Sequence, residues 1–298
     1  MKAAFINPYF ALVVGVITVS FSAILVKLAS APSGIIAFYR LLFTVLLLLP
    51  FFLIKHVHEI KLMIRKDFFL TMAAGIFLAF HFILWFESLN YTTVASSTVL
   101  VTLQPIFAFA GAFFFFKERF SVKVLISGAI AIIGSVIISW GDFRISGWAL
   151  LGDLLALIAC ALATSYLLVG QGVRKRISST TYTFIVYLFS TIVLFIYVVV
   201  AQQPLRGYPV ADWMYFILLA IFPTLLGHSL FNWAVKWLST TTISMAILLE
   251  PVGATILAYF LFGEKVIWTQ LLGGAVICYG LIMFLCEERK QYKKVEKR

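Results

Sequence analysis

The chain has 298 residues, of which 63% are hydrophobic and only 12% charged, including thirty Phe. A soluble domain runs at about 45–50% apolar and about 25% charged, so this composition excludes a water-soluble globule and fits a polypeptide dissolved in lipid. The net charge of +11 does not mark a nucleic-acid partner, because the basic residues sit between apolar runs instead of gathering on one patch.

Ten apolar stretches follow in order, at about residues 9–29, 35–54, 68–88, 94–116, 122–140, 149–170, 180–200, 213–236, 241–262 and 267–286. Each approaches the roughly 20 residues that carry a helix across a bilayer. Period-two alternation is absent, which argues against a membrane β-barrel. The first stretch is too long for a signal-peptide core, and Pro32 follows the Ala29-Ser30-Ala31 step, so it reads as a retained helix. Ser30 to Gly34 and Asn90 to Thr93 leave room only for tight turns.

Lys and Arg fall mainly in alternate gaps. One set holds Lys2, Lys55, Lys61, Arg65, Lys66, Lys117, Arg119, Lys123, Arg174, Lys175, Arg176, Lys236 and the basic tail from Glu287 to Arg298; the opposite gaps hold only Arg144, Arg206 and Lys265. The positive-inside rule then places both termini in the cytoplasm and makes the number of spans even. Trp140, Trp148, Trp213 and Trp268 fall at predicted outer ends and Trp237 at an inner end, as interfacial anchors do. The tail is expected to be extended or frayed.

The chain resembles itself. A shift of 146 residues places Pro105 on Pro251, Glu118 on Glu264, Gly128 on Gly274 and Gly134 on Gly280, and sets Leu103-Gln104-Pro105 against Leu249-Glu250-Pro251. Residues 1–146 and 147–286 therefore read as two five-helix repeats, followed by the basic tail 287–298. Five is odd, so the second repeat is expected to be inverted in the membrane, with Glu118 at the cytoplasmic face and Glu264 at the outer face. Inverted repeats underlie alternating access in many transporters.

These features resemble the EamA-type members of the drug/metabolite transporter superfamily. The residues that carry the resemblance are Ala31-Pro32 to Arg40, Leu103-Gln104-Pro105 with Phe116-Lys117-Glu118, and Leu249-Glu250-Pro251 with Phe262-Gly263-Glu264. The resemblance implies an all-α integral membrane protein of ten spans, a multi-pass exporter or exchanger of amino acids, metabolites or drugs in a bacterial or archaeal cytoplasmic membrane. It identifies neither the substrate nor the oligomeric state.

Candidate binding residues follow from the cost of polarity in lipid. A carboxylate at a helix centre costs about 2.5–3.5 kcal/mol on insertion scales. Glu250 is so placed, beside Pro251, and either binds a proton or cation or bonds the backbone that the proline frees. Pro105 and Pro251 are expected to break spans 4 and 9, and Gln104 to line the same cavity as Glu250. Pro223 is a third break, without a counterpart. His81 in span 3 and His228 in span 8 nearly correspond under the shift, and are read as proton relays or structural donors. Trp85 and Asn232 lie one turn beyond them. Lys27, Arg40, Glu87 and Asp153 are expected toward the outer half, as ion pairs, as a gate and an anion site, or as side chains snorkelling to the outer interface, with Arg40 best suited to a substrate carboxylate. The glycines of spans 5 and 10 read as packing contacts.

No cofactor or metal is expected. His56-Val57-His58-Glu59 lacks further ligands, and Cys160, Cys278 and Cys286 read as apolar packing residues. The expected partners are a small-molecule substrate, the lipid bilayer and protons. The rival class is a polytopic membrane enzyme acting on a lipid-soluble substrate, but no hydrolase, zincin or phosphate-loop motif appears.

Overall fold

The computed structural model describes residues 6–138, 140, 147–263 and 265–296, with the side chains of 262 and 291–296 left aside. Glu264, Arg144 and the last two residues of the tail lie outside it. Among the described residues, nine apolar helices are long enough to cross a membrane, and a tenth, Val122–Ile138, is shorter. In chain order the spans are Pro8–Leu28, Ser33–Lys55, Arg65–Ser88, Val94–Phe116, Val122–Ile138, Gly147–Val173, Ser179–Val200, Val210–Ala234, Thr240–Leu261 and Trp268–Lys290. They are called spans 1 to 10. This is an all-helical membrane protein. Phe114, Phe115, Phe260 and Leu271 stay exposed because their neighbours are acyl chains.

The helix starts are set locally. Thr93, Ser178 and Ser239 each cap a span by accepting from the N–H three residues on. The last helix runs on as a helix to Glu296, where the sequence predicts extended chain. Trp140, Trp148 and Trp268 are exposed as interfacial anchors should be, whereas Trp213 packs edge-on against Tyr39.

The spans pair across the repeat. Span 1 packs on span 8 and span 3 on span 6, while 2 packs on 7, 4 on 9 and 5 on 10. Exchanging each span for its counterpart five places on leaves this pairing unchanged. Spans 2 and 7 run antiparallel: Phe52 stacks on Phe184 at one end, with ring centroids 4.0 Å apart, and Phe38 meets Phe195 at the other.

The tightest seam is between spans 5 and 10. A Cβ at Gly134 would lie 2.7 Å from the Ile277 amide and 2.8 Å from the Gly273 carbonyl. A Cβ at Gly280 would lie 2.7 Å from the Ala131 amide and 2.9 Å from the Ser127 carbonyl. Subtracting 146 from Gly280, Ile277 and Gly273 gives Gly134, Ala131 and Ser127, so the seam maps onto itself. Glycine is required here for backbone-to-backbone approach.

Spans 4 and 9 are broken where the sequence places prolines. Span 4 divides into Val94–Thr102 and Gln104–Phe116, and span 9 into Thr240–Ile247 and Glu250–Phe262, with Pro105 and Pro251 in the first turn of each second segment. A proline has no N–H to donate there and its fixed φ suits that position. Both second segments end in a left-handed cap, Lys117 at φ 58° and Gly263 at φ 66°, with the cap N–H donated to Ala112 and to Ala258 respectively.

Pro223 does not simply break span 8. It lies in a π-helix, Ala220–His228, whose wide turns let Thr224 Oγ1 donate to the Leu219 carbonyl five residues back, at 2.7 Å. A further break, absent from the sequence reading, divides span 1 at Ser20. Ser20 Oγ turns back onto the Val16 carbonyl and occupies the space a Cβ at Gly253 would need.

Candidate functional site

The broken helices meet. The first half of span 9 lies against the second half of span 4, and the second half of span 9 against the first half of span 4, so both proline breaks sit at one level. Glu250 and Gln104 are each 6% exposed at these breaks. The Glu250 carboxylate makes no hydrogen bond among the described residues, and the Arg40 guanidinium is the charge within electrostatic reach.

Arg40 is fully buried. Its Nε donates to Thr224 Oγ1 at 2.6 Å and its Nη1 to Ser22 Oγ at 2.8 Å. The π-helix presents Thr224 and span 1 presents Ser22, so three spans hold one guanidinium. The plane lies over the Phe82 ring, 4.2 Å from its centroid, with Phe86 at 5.8 Å. Nη2 has no partner. The sequence offers Arg40, Lys27, Glu87 and Asp153 as ion pairs, and that pairing is not seen among the described residues. Lys27 donates to the Leu89 carbonyl, Glu87 accepts from Asn90, and Asp153 accepts from Thr92 and Ser96. Among the described residues these four form no salt bridge, and Arg40 sits apart from the others in the bundle interior.

Next to Phe82 stand the two histidines. The His228 ring is 5.5 Å from Phe82 and 6.4 Å from His81. His81 shares a hydrogen bond of 3.0 Å with the Ala159 carbonyl through Nδ1 and stacks on Trp85 at 5.8 Å. Tyr166, also near His228, donates to Asn232 Oδ1 at 2.7 Å. Arg40, His81, Trp85 and His228 thus form one connected lining with Phe82, and Tyr166 joins Asn232 to it. Among the described residues Gln104 makes no hydrogen bond to that lining, and Glu250 is related to it through the charge of Arg40.

Five of the seven candidate side chains keep a buried polar atom without a partner: Arg40 Nη2, Trp85 Nε1, Gln104 Oε1, His228 Nδ1 and Asn232 Nδ2. Each such atom costs about 1–3 kcal/mol if left unpaired. Those of Arg40, Trp85, His228 and Asn232 belong to the one lining, where a polar ligand could reach them. Ser22, Thr224, Phe82 and Tyr166 are missing from the sequence reading. A hydroxyl within an apolar run was the only mark of Ser22, Thr224 and Tyr166, and Phe82 had none.

Two cavities lie at the end of the bundle that holds the turn between spans 1 and 2. One of about 340 Å³ is lined by Ala23, Lys27, Thr98, Pro251, Thr255 and Gln270. The other, of about 330 Å³, is lined by Lys27, Ser30, Ser33, Phe86 and Asn90. At the opposite end His56 and Glu59, read against a metal site, instead dock onto the start of span 7. Glu59 accepts from Thr181 Oγ1 at 2.7 Å and from the Ser178 amide at 3.3 Å.

Fold and lining together define a duplicated multi-pass membrane protein with a polar centre, the architecture of a carrier. The model of the EamA-like transporter family matches residues 7–140 and again 150–286, and the chain belongs to that family. It is similar to the transporter YxxF of Bacillus subtilis, 27% identical over 225 residues that cover 74% of this chain and 71% of that one. A transporter of Archaeoglobus fulgidus is 24% identical over 250 residues, covering 83% and 85%. One solved crystal structure superposes with a TM-score of 0.78 at 14% identity over 95% of this chain and 98% of that one, a likeness of fold alone. The protein is a transporter and not an enzyme.

Proposed function

We propose that the chain is a secondary active transporter that exports or exchanges small amphoteric molecules, with amino acids ahead of other metabolites and drugs, by alternating access. The observation that carries this reading is that two ionisable side chains of opposite sign, Arg40 and Glu250, are both buried in the bundle interior. Arg40, with a free Nη2, offers a site for a carboxylate, and Glu250 offers one for an amine or a proton. Phe82, Phe86, Trp85 and the histidines provide an aromatic wall for the rest of the substrate. Residues 1–146 and 147–286 act as the two units that rock about the shared centre, and the 287–298 tail lies with the N-terminus in the cytoplasm. Glu250 is the coupling group when it exchanges a proton for substrate.

The test is counterflow in proteoliposomes preloaded with unlabelled amino acids or amines. Saturable accumulation of a labelled zwitterion, competed by its own unlabelled form, supports the reading. Flux that rises linearly with concentration and shows no counterflow would replace the carrier with a pore.

A further inference from the structure

The third residue of span 3 is Asp67 and the third residue of span 8 is Asp212, and both are buried. Each accepts two hydrogen bonds from the turn that precedes a helix of the other repeat. Asp67 receives Arg176 Nε and Nη2, both at 2.6 Å. Asp212 receives the Ser30 amide at 3.0 Å and Ser30 Oγ at 2.8 Å. Arg176 and Ser30 are 146 residues apart, so they are counterparts, and the two contacts lie at opposite ends of the bundle.

A second pair follows the same rule. Glu59, in the connection between spans 2 and 3, accepts from Thr181 of span 7 at 2.7 Å. Its counterpart Leu205, in the connection between spans 7 and 8, accepts through its carbonyl from Tyr39 Oη of span 2 at 2.6 Å. Each end is therefore fastened between repeats at equivalent places, but with unequal chemistry. The Arg176 end uses a two-pronged ion pair and a carboxylate. The Ser30 end uses the neutral donors of Ser30 on the Asp212 carboxylate, and a backbone carbonyl. Both Asp67 and Asp212 accept as carboxylates, but only the Arg176 end pairs two opposite charges in a forked geometry, which adds to the strength and direction of the contact. Ser30 itself lines the cavity of about 330 Å³ at its own end.

We infer that Asp67–Arg176 and Asp212–Ser30 are paired latches of the transport cycle, and that their inequality makes the substrate-free carrier rest with the Arg176 end shut and the Ser30 end free to open. The inference rests on the alternating-access reading. Opening the Arg176 end requires breaking a bidentate ion pair, which bound substrate must compensate by preferring that state. Opening the Ser30 end requires breaking only two bonds from a serine.

The experiment uses the full chain in nanodiscs, with the exposed Cys278 and Cys286 replaced by serine. Spin-label pairs at the exposed positions 66 and 175 report one end, and pairs at 90 and 206 the other. Distances come from double electron–electron resonance. The wild type should give a narrow 66–175 distribution and a broad 90–206 one. Arg176→Ser, which removes both charge-assisted bonds, and Asp67→Asn, which removes the charge that assists them, should each raise the open-to-closed ratio at 66–175 by about tenfold or more. The exchanged pair Asp67→Arg with Arg176→Asp should restore the narrow distribution, which a merely structural role would not. Ser30→Arg should narrow the 90–206 distribution. If that variant does not fold, Ser30→Ala should broaden it. Unchanged distributions in Arg176→Ser and Asp67→Asn would overturn the latches, and counterflow persisting beside them would leave the carrier reading standing. Shifted distributions in a protein that shows no counterflow would support the latches and sink the carrier reading.

Discussion

His81 and His228 stand face to edge, with ring centroids 6.4 Å apart, one from each repeat. Their residue numbers do not fit the shift of 146 that relates the rest of the chain, and the reason is the π-helix over Ala220–His228. Asp67 and Asp212, at the starts of the same two spans, are 145 apart and the histidines 147 apart. The wide turns between them take up the surplus. The same turns project Thr224 toward Arg40, so one local departure from α-geometry brings the histidines together and seats the guanidinium.

Arg40→Lys keeps the charge and loses the fork that joins Ser22 to Thr224. Exchange should fall by about tenfold or more, the worth of one buried charge-assisted bond, with monodisperse protein retained. Glu250→Gln should abolish exchange and its pH dependence at unchanged yield. Counterflow measured between pH 5.5 and 8.5 checks both, and wild-type rates in either variant would remove that side chain from the site.

Substitutions in the seam between spans 5 and 10 should be symmetric. Gly134→Ala and Gly280→Ala each force a methyl into backbone 2.7 Å away, and each should destabilise by about 1–3 kcal/mol. Gly274→Ala meets only Val252 at 3.6 Å and should be near neutral. Thermal unfolding in detergent, read by tryptophan fluorescence, ranks the three.

The left-handed caps should respond in opposite directions. Gly263→Ala puts a Cβ where φ is 66° and should cost about 1–2 kcal/mol. Lys117→Gly, at φ 58°, relieves the same strain and should not destabilise. The same melting assay decides; an equal loss in both would mean that side-chain contacts, not φ, govern these positions.

Glu59 gives a pH dependence. Burial raises its carboxyl, but hydrogen bonds from Ser178, His56 and Thr181 outweigh that and bring it down to about 2. A depressed folded value stabilises above the unfolded value, about 4.3, and that stability is lost as pH falls toward 2. Wild type should therefore melt above Glu59→Gln at pH 7, and the gap should close between about pH 4.5 and pH 2. A gap that stays constant over that window would show that the carboxylate is not the source.

The membrane class, the ten apolar stretches and the breaks at Pro105 and Pro251 were legible because each follows from a strong local term: hydropathy for the spans, a missing N–H for the breaks. The seam was legible as a run of glycines, although the sequence does not say which glycine meets which backbone. What could not be read was three-dimensional placement. Arg40 could be read as a charge, but the groups that hold it could not, and only the convergence of Ser22, Thr224 and Phe82 shows it buried inside the bundle. The break at Ser20 carries no proline or glycine of its own. It answers to Gly253 on another span, and the register of His228 answers to a π-helix that no residue type announces.

The glycine seam has a bearing on how such a chain arises. Because Gly134 meets the surroundings of Gly273 and Gly280 meets the equivalents of those same residues, exchanging the halves reproduces the contact. An interface that returns itself on exchange is what two identical subunits form about a dyad. The fold is in that sense a homodimer whose protomers lie head to tail in the bilayer and have been joined by one peptide connection. A polypeptide carrying only the first five helices would already possess the complementary face with which to pair with its own copy.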